Sequence, residues 1–112
     1  MHRLLIACLA CLAVAGPPAR APAGPAAEIS IDDFAFTPGT IRVQPGATVR
    51  WLNHDDSPHT VVAKSLAFRS KALDSDDSYE HQFTEPGVVD YFCSLHPQMR
   101  GQVIIAPPEP SN

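Results

Sequence analysis

Ser78-Tyr79-Glu80-His81-Gln82-Phe83-Thr84-Glu85-Pro86-Gly87-Val88-Val89-Asp90-Tyr91-Phe92-Cys93 reads as two strands of alternating residues on either side of a Pro-Gly turn, and this stretch decides the fold class. In the second strand Val89, Tyr91 and Cys93 share a face, so the cysteine is presented from the core side at the strand's end. Similar short runs occur at Ile29 to Phe36, Thr40 to Val43, Thr48 to Asn53, His59 to Ala63 and Gln102 to Ala106, with Thr37-Pro38-Gly39 and Gln44-Pro45-Gly46 as further turns. No segment sustains a helical period. Short strands at close, regular spacing predict an all-β protein, a Greek-key antiparallel β-sandwich. Lys64 to Asp77 has no clear pattern and is expected to hold an irregular excursion or a short edge strand.

The strand that ends at Cys93 runs directly into Ser94-Leu95-His96-Pro97-Gln98-Met99, and Ser57-Pro58-His59-Thr60-Val61 lies well upstream. A thiolate, two imidazoles and a thioether are the donors of a mononuclear copper site in which two histidines and a cysteine form a plane and methionine sits at a long axial distance. Soft sulfur favours Cu(I) and imidazole also suits Cu(II), so such a set holds both oxidation states. The blander reading of Cys93 is a small buried core residue. Zinc could occupy His59, Cys93 and His96, but Met99 and the lack of a second cysteine in the domain favour copper. His54 and His81 read as solvated polar residues and Trp51 as core. Asp74, Asp76 and Asp77 read as a solvated acidic turn, since the glycine and distal glutamate of a calcium loop are missing.

Met1-His2-Arg3, the apolar run Leu4 to Ala15 and the small residues after it have the order of a secretory signal peptide, expected to span 1–23. The run is about half of the ~20 residues that cross a bilayer, so no stable membrane insertion is expected. Residues 24–27 read as a flexible arm, 28–106 as one domain and 107–112 as a disordered tail. Loss of the leader removes Cys8 and Cys11 and leaves Cys93 alone in an oxidising compartment, where metal ligation gives an unpaired thiol a reason to exist. From Gly24 onward six basic side chains face all twelve acids, a net charge near −6, which makes nucleic acid a poor partner.

Three blocks give the chain a family likeness: Val49-Arg50-Trp51-Leu52-Asn53, Pro58-His59-Thr60-Val61, and the run from Phe83 through Tyr91, Cys93, His96, Pro97, Met99, Arg100, Gly101 and Val103. They resemble the cupredoxin (type 1 blue-copper) family, and within it the amicyanin branch, with plastocyanins and pseudoazurins as relatives. The two-residue gaps between Cys93 and His96 and between His96 and Met99 match the short ligand loop of that branch. The resemblance implies that His59, Cys93 and His96 are strong ligands and Met99 the weak axial one. It also implies that His96 breaks the surface in an apolar patch, here drawn from Pro97, Leu95, Pro58 and Met99. One departure is Thr60, where many relatives carry an asparagine that ties the two ligand loops together; a hydroxyl has less donor capacity than an amide and is expected to reach toward Ser94.

The expected function is a monomeric, periplasmic one-electron carrier with one copper ion per chain. By resemblance its redox partners are an amine dehydrogenase as donor and a c-type cytochrome as acceptor. A copper-holding protein for delivery or resistance is the alternative, although the mature chain is poor in the exposed methionines which that role favours. Enzyme activity is not expected: multicopper enzymes of this family often place a histidine beside the cysteine to wire a second copper centre, and here the neighbours are Phe92 and Ser94.

Overall fold

The computed structural model describes Gly16 and residues 25–108 of the chain. The expected leader apart from Gly16, the arm's first residue and the tail from Glu109 lie outside the described residues. Among the described residues eight strands form: β1 Ala27–Asp32, β2 Ala35–Thr37, β3 Thr40–Val43, β4 Ala47–Asn53, β5 Val62–Ala63, β6 Ser78–Phe83, β7 Gly87–Phe92 and β8 Arg100–Ile105. They make two four-stranded sheets, ordered β2-β1-β4-β6 and β3-β8-β7-β5, so the all-β sandwich expected from the alternation is what the chain builds. Each sheet is mixed, because β1 runs parallel to β4 and β3 parallel to β8. Alternation sets which side chains face inward, but it carries no information about the direction of a neighbouring strand.

The three Pro-Gly turns share one job. Thr37-Pro38-Gly39, Gln44-Pro45-Gly46 and Glu85-Pro86-Gly87 each carry the chain from one sheet to the other. The expected strand Ile29 to Phe36 is instead a hairpin, β1 and β2, folded at Asp33 and Phe34 with φ of 50° and 57°. Left-handed backbone at two successive side-chain-bearing residues is unusual, since such tight turns normally use Asn-Gly or Asp-Gly.

Lys64 to Asp77 is irregular as expected, yet it belongs to the core. Phe68 and Leu73 are buried, and isolated bridges join Leu73 to His59 and Arg69 to Val62. Between the sheets Trp51, fully buried, packs against Phe68, Tyr79, Phe83 and Tyr91. His81 departs from the solvated reading: its half-buried ring lies 4.2 Å from that of Phe68, and burial pushes its pKa down.

Tyr91 explains the glycine opposite it. Tyr91 pairs with Gly101 across β7 and β8, and a methyl group built on Gly101 would lie 2.2 Å from the phenol ring and its hydroxyl. The ring therefore covers bare backbone, and any side chain at 101 would displace it. Gly101→Ala should destabilise the fold by about 1–3 kcal/mol or more, read as a lowered urea midpoint, whereas substitution at Gly39, where a methyl meets nothing nearer than 3.8 Å, should be far milder.

Burial also raises the Tyr91 phenol to about 12; the Trp51 indole opposes this slightly, although neither its N–H nor the phenol oxygen completes a hydrogen bond. The unfolded chain loses this proton near the ordinary tyrosine value of 10.0, so the stabilising effect is whole below that pH and is lost as pH rises toward 12. At about 1.4 kcal/mol per unit it amounts to roughly 2–3 kcal/mol. Tyr91→Phe should abolish this part of the alkaline unfolding, which a base titration followed by circular dichroism would detect.

Candidate metal centre

At one end of the sandwich the β4–β5 connection meets the β7–β8 loop, and here the predicted residues converge. Cys93 follows β7 and is fully buried. The loop after it closes on itself: the Met99 N–H donates to the His96 carbonyl at 2.9 Å, and the Cys93 N–H donates to the Met99 carbonyl at 3.1 Å. These two bonds turn His96 back over the sulfur. Met99 itself is buried within the core cluster that contains Cys93.

His59 arrives differently from the expected route. It lies ahead of β5 rather than inside a strand, and it is held by an isolated bridge in which its N–H and carbonyl both bond Leu73, at 3.1 and 2.7 Å. Buried Asn53 shapes the approach, donating from Nδ2 to the carbonyls of Ser57 and Leu73 and accepting the Asp55 N–H at Oδ1.

The geometry suits a first-row ion. His59 Nδ1 lies 3.8 Å and His96 Nδ1 3.7 Å from Cys93 Sγ, and the three donor atoms all fall within 4.8 Å of one another. Metal–sulfur and metal–nitrogen bonds of about 2.3 and 2.0 Å at trigonal angles need S···N separations near 3.7 Å. With Met99 buried in the same core cluster as Cys93, the donor set is positioned for copper.

Thr60 meets the sulfur and the loop together. Its N–H donates to Cys93 Sγ at 3.3 Å, and its Oγ1 accepts the Ser94 N–H at 2.7 Å while sharing a 2.8 Å hydrogen bond with Ser94 Oγ. The contact with Ser94 expected from the sequence is thus present, and it ties the two loops.

Two residues at the site escaped the sequence reading. Phe34 is about half exposed, and its ring meets His59 and His96 edge-on, with centroids 5.2 and 5.0 Å away. Asp55 turns inward: its Oδ2 lies 2.8 Å from His59 Nε2, and the Asp33 and Phe34 N–H groups donate to its Oδ1 and Oδ2 at 2.7 and 3.0 Å. Partial burial acts to raise the Asp55 pKa, but the hydrogen bonds from Phe34, His59 and Asp33 outweigh it and hold the carboxyl below its ordinary value. The four-residue step to His59 was the available signal, but outside a helix such a step has no fixed geometry. Of the apolar patch expected around His96, Leu95, Pro97 and Pro58 are exposed, whereas Met99 is buried.

Comparison with known proteins agrees with the fold. The family model of the cupredoxin-like domain matches residues 4–105. Amicyanin of Paracoccus versutus is 35% identical over 85 residues, which cover 71% of this chain and 64% of that protein, so the chain spans less than two thirds of that relative's length. The Cu(I) form of a methionine-to-alanine mutant of amicyanin superposes with a TM-score of 0.69 at 32% identity, over 75% of this chain and 85% of the other. A purple cupredoxin from Nitrosopumilus maritimus superposes with a TM-score of 0.67 at 31% identity, over 71% of this chain and 99% of its own.

Thr60→Val keeps the backbone bond to sulfur and deletes the hydroxyl, leaving Ser94 N–H and Oγ without their partner in a half-buried place. Stability of the metal-free protein should fall by about 1–3 kcal/mol, and Thr60→Ser should restore most of it, as paired urea titrations would show.

Proposed function

This chain belongs to the cupredoxin-like family, and we propose that it is a small exported protein carrying one electron at a time, with His59, Cys93 and His96 as strong copper ligands and Met99 as the weak axial one. The observation that carries this reading is the trigonal spacing of three donors at the meeting of two loops, at 3.8 and 3.7 Å from sulfur to each imidazole nitrogen. Bound there, one copper ion supplies a Cu(II)/Cu(I) couple. The residues around it keep the donors still between the two charge states. Thr60 donates to the sulfur, the Thr60–Ser94 contact locks loop to loop, and the bonds within residues 93–99 fix His96. Less movement on electron transfer means a smaller barrier, which is the reason to build the site on sheet ends.

His96 is half-buried beside exposed Leu95 and Pro97, whereas His59 is wholly buried, so the electron enters and leaves at His96. Cupredoxins of the amicyanin type are electron-transfer proteins rather than enzymes. Partners follow from the likeness to amicyanin: an amine dehydrogenase as donor and a c-type cytochrome as acceptor, met in the periplasm by a monomer whose leader has been removed. A copper-delivery role is less well supported, because Cys93, His59 and Met99 are all buried and donors that release metal readily need to be reached.

The copper-loaded protein should hold one ion and show an intense thiolate-to-copper band in the visible spectrum. Cys93→Ala should abolish the band, and His59→Ala or His96→Ala should leave a weakened or opened site. Met99→Gln should retain copper and lower the potential, because an oxygen donor favours Cu(II). A copper-loaded protein without the band would sink the carrier reading, and loss of all metal from Met99→Gln would overturn the ranking of ligands.

A further inference from the structure

We propose that Asp55 is a positioning residue for the metal centre: resting on the copper reading above, it fixes the tautomer and direction of His59 and lowers the reduction potential of the site. The carboxylate has three donors around two oxygens. Oδ1 accepts the Asp33 N–H at 2.7 Å, and Oδ2 accepts the Phe34 N–H at 3.0 Å while lying 2.8 Å from His59 Nε2. Two backbone N–H groups aimed at one carboxylate form an anion-binding concavity, so the group cannot swing away from the imidazole.

The tautomer follows from the pairing. Each Asp55 oxygen already accepts a backbone N–H, and a carboxylate engaged in this way only accepts. The ring nitrogen facing it must therefore carry the proton. That leaves Nδ1, the atom 3.8 Å from Cys93 Sγ, with a free lone pair directed at the metal position. A ligand imidazole that donates its far N–H to a negative charge becomes a stronger base toward the metal, and Cu(II) gains more from this than Cu(I) does. The couple Cu(II) + e⁻ → Cu(I) is thereby shifted toward the oxidised side.

The same contact accounts for the strain in the β1–β2 turn. Positive φ at Asp33 and Phe34 is unfavourable in isolation, and persists where the surroundings enforce it. Here it directs both N–H groups at Asp55 and packs the Phe34 ring perpendicular to both imidazoles. A turn that served only to reverse the chain would have no need of a carboxylate from another loop.

Asp55→Asn keeps the shape and an acceptor oxygen for the turn but removes the charge. Loss of such an outer partner weakens a metal site by about 10–100-fold. If that loss falls on Cu(II), at about 59 mV per tenfold for one electron the potential rises by roughly 59 mV or more. Voltammetry of the copper-loaded wild type and Asp55→Asn reads this directly, beside urea unfolding of both. An unchanged or lowered potential together with reduced stability would make Asp55 a turn cap and nothing more. Should Asp55→Asn fail to fold, the metal-free wild type decides, by nitrogen-15 NMR of its histidines near neutral pH. His59 should appear protonated at Nε2 with a slowly exchanging proton, and an Nδ1-protonated ring would overturn the proposal. If the protein bound no copper the carrier reading would fail by itself, and the same histidine spectra would still accept or reject the pairing with Asp55.

Discussion

A sulfur atom and two imidazoles lie at the end of an apolar core, with Cys93 and His59 completely shielded from water, and the rest of the site answers to that burial. Polar atoms removed from water are costly unless each finds a partner, and a donor cluster must keep its lone pairs free on the side where a metal would sit. The protein meets both demands by bonding the outer sides of the donors. Thr60 N–H reaches the sulfur, Asp55 reaches His59 Nε2, and the loop bonds of residues 93–99 hold His96 in place. What faces inward is left to coordinate.

Such a site needs two loops from opposite sheets at one end of the sandwich. Each Pro-Gly crossover moves the chain to the other sheet, so that β4 leads to the segment bearing Asp55, His59 and Thr60 on one side while β7 and β8 flank Cys93 to Met99 on the other. Trp51 fills the space between the sheets, and Leu73 buttresses His59 from an excursion without regular structure. The unpatterned segment Lys64 to Asp77 is therefore no spacer: its Leu73 supplies both backbone bonds that fix His59.

Much of this was legible in the sequence because it rests on local pattern. Alternation at 78–83 and 87–92 marks those strands within a residue, and the spacing of Cys93, His96 and Met99 points to a donor set of which the fold brings Cys93 and His96 together with His59. The parallel pairings of β1 with β4 and β3 with β8 were not legible, since they are long-range choices that leave no local mark. The break of one expected strand at Asp33 and Phe34 was hidden for a different reason. Neither residue is a usual turn former at positive φ, and the conformation is enforced by Asp55, about twenty positions away. Thr60 was readable only in part: its hydroxyl could be assigned to Ser94, but the bond from its backbone N–H to sulfur depends on how the loops meet.

The two histidines consequently sit in unlike mechanical settings. His59 is buried, bridged through its backbone to Leu73 and held at its far nitrogen by an anion that is itself anchored to a turn. His96 lies on a short loop between exposed Leu95 and Pro97, with the Phe34 ring packed perpendicular to its own. Stiffness and access are thus assigned to different histidines. The arrangement also bears on Thr60. An asparagine would bring an acceptor and two donors to the loop junction, whereas threonine brings one hydroxyl. Here the single oxygen accepts the Ser94 N–H, shares a further bond with its hydroxyl and lies 3.7 Å from the sulfur, while the shorter bond to sulfur, 3.3 Å, is made by the backbone. The smaller side chain suffices because the task is divided: Ser94 supplies the extra hydrogen-bonding group that the amide would have carried, and Asp55 holds the His59 side of the junction independently.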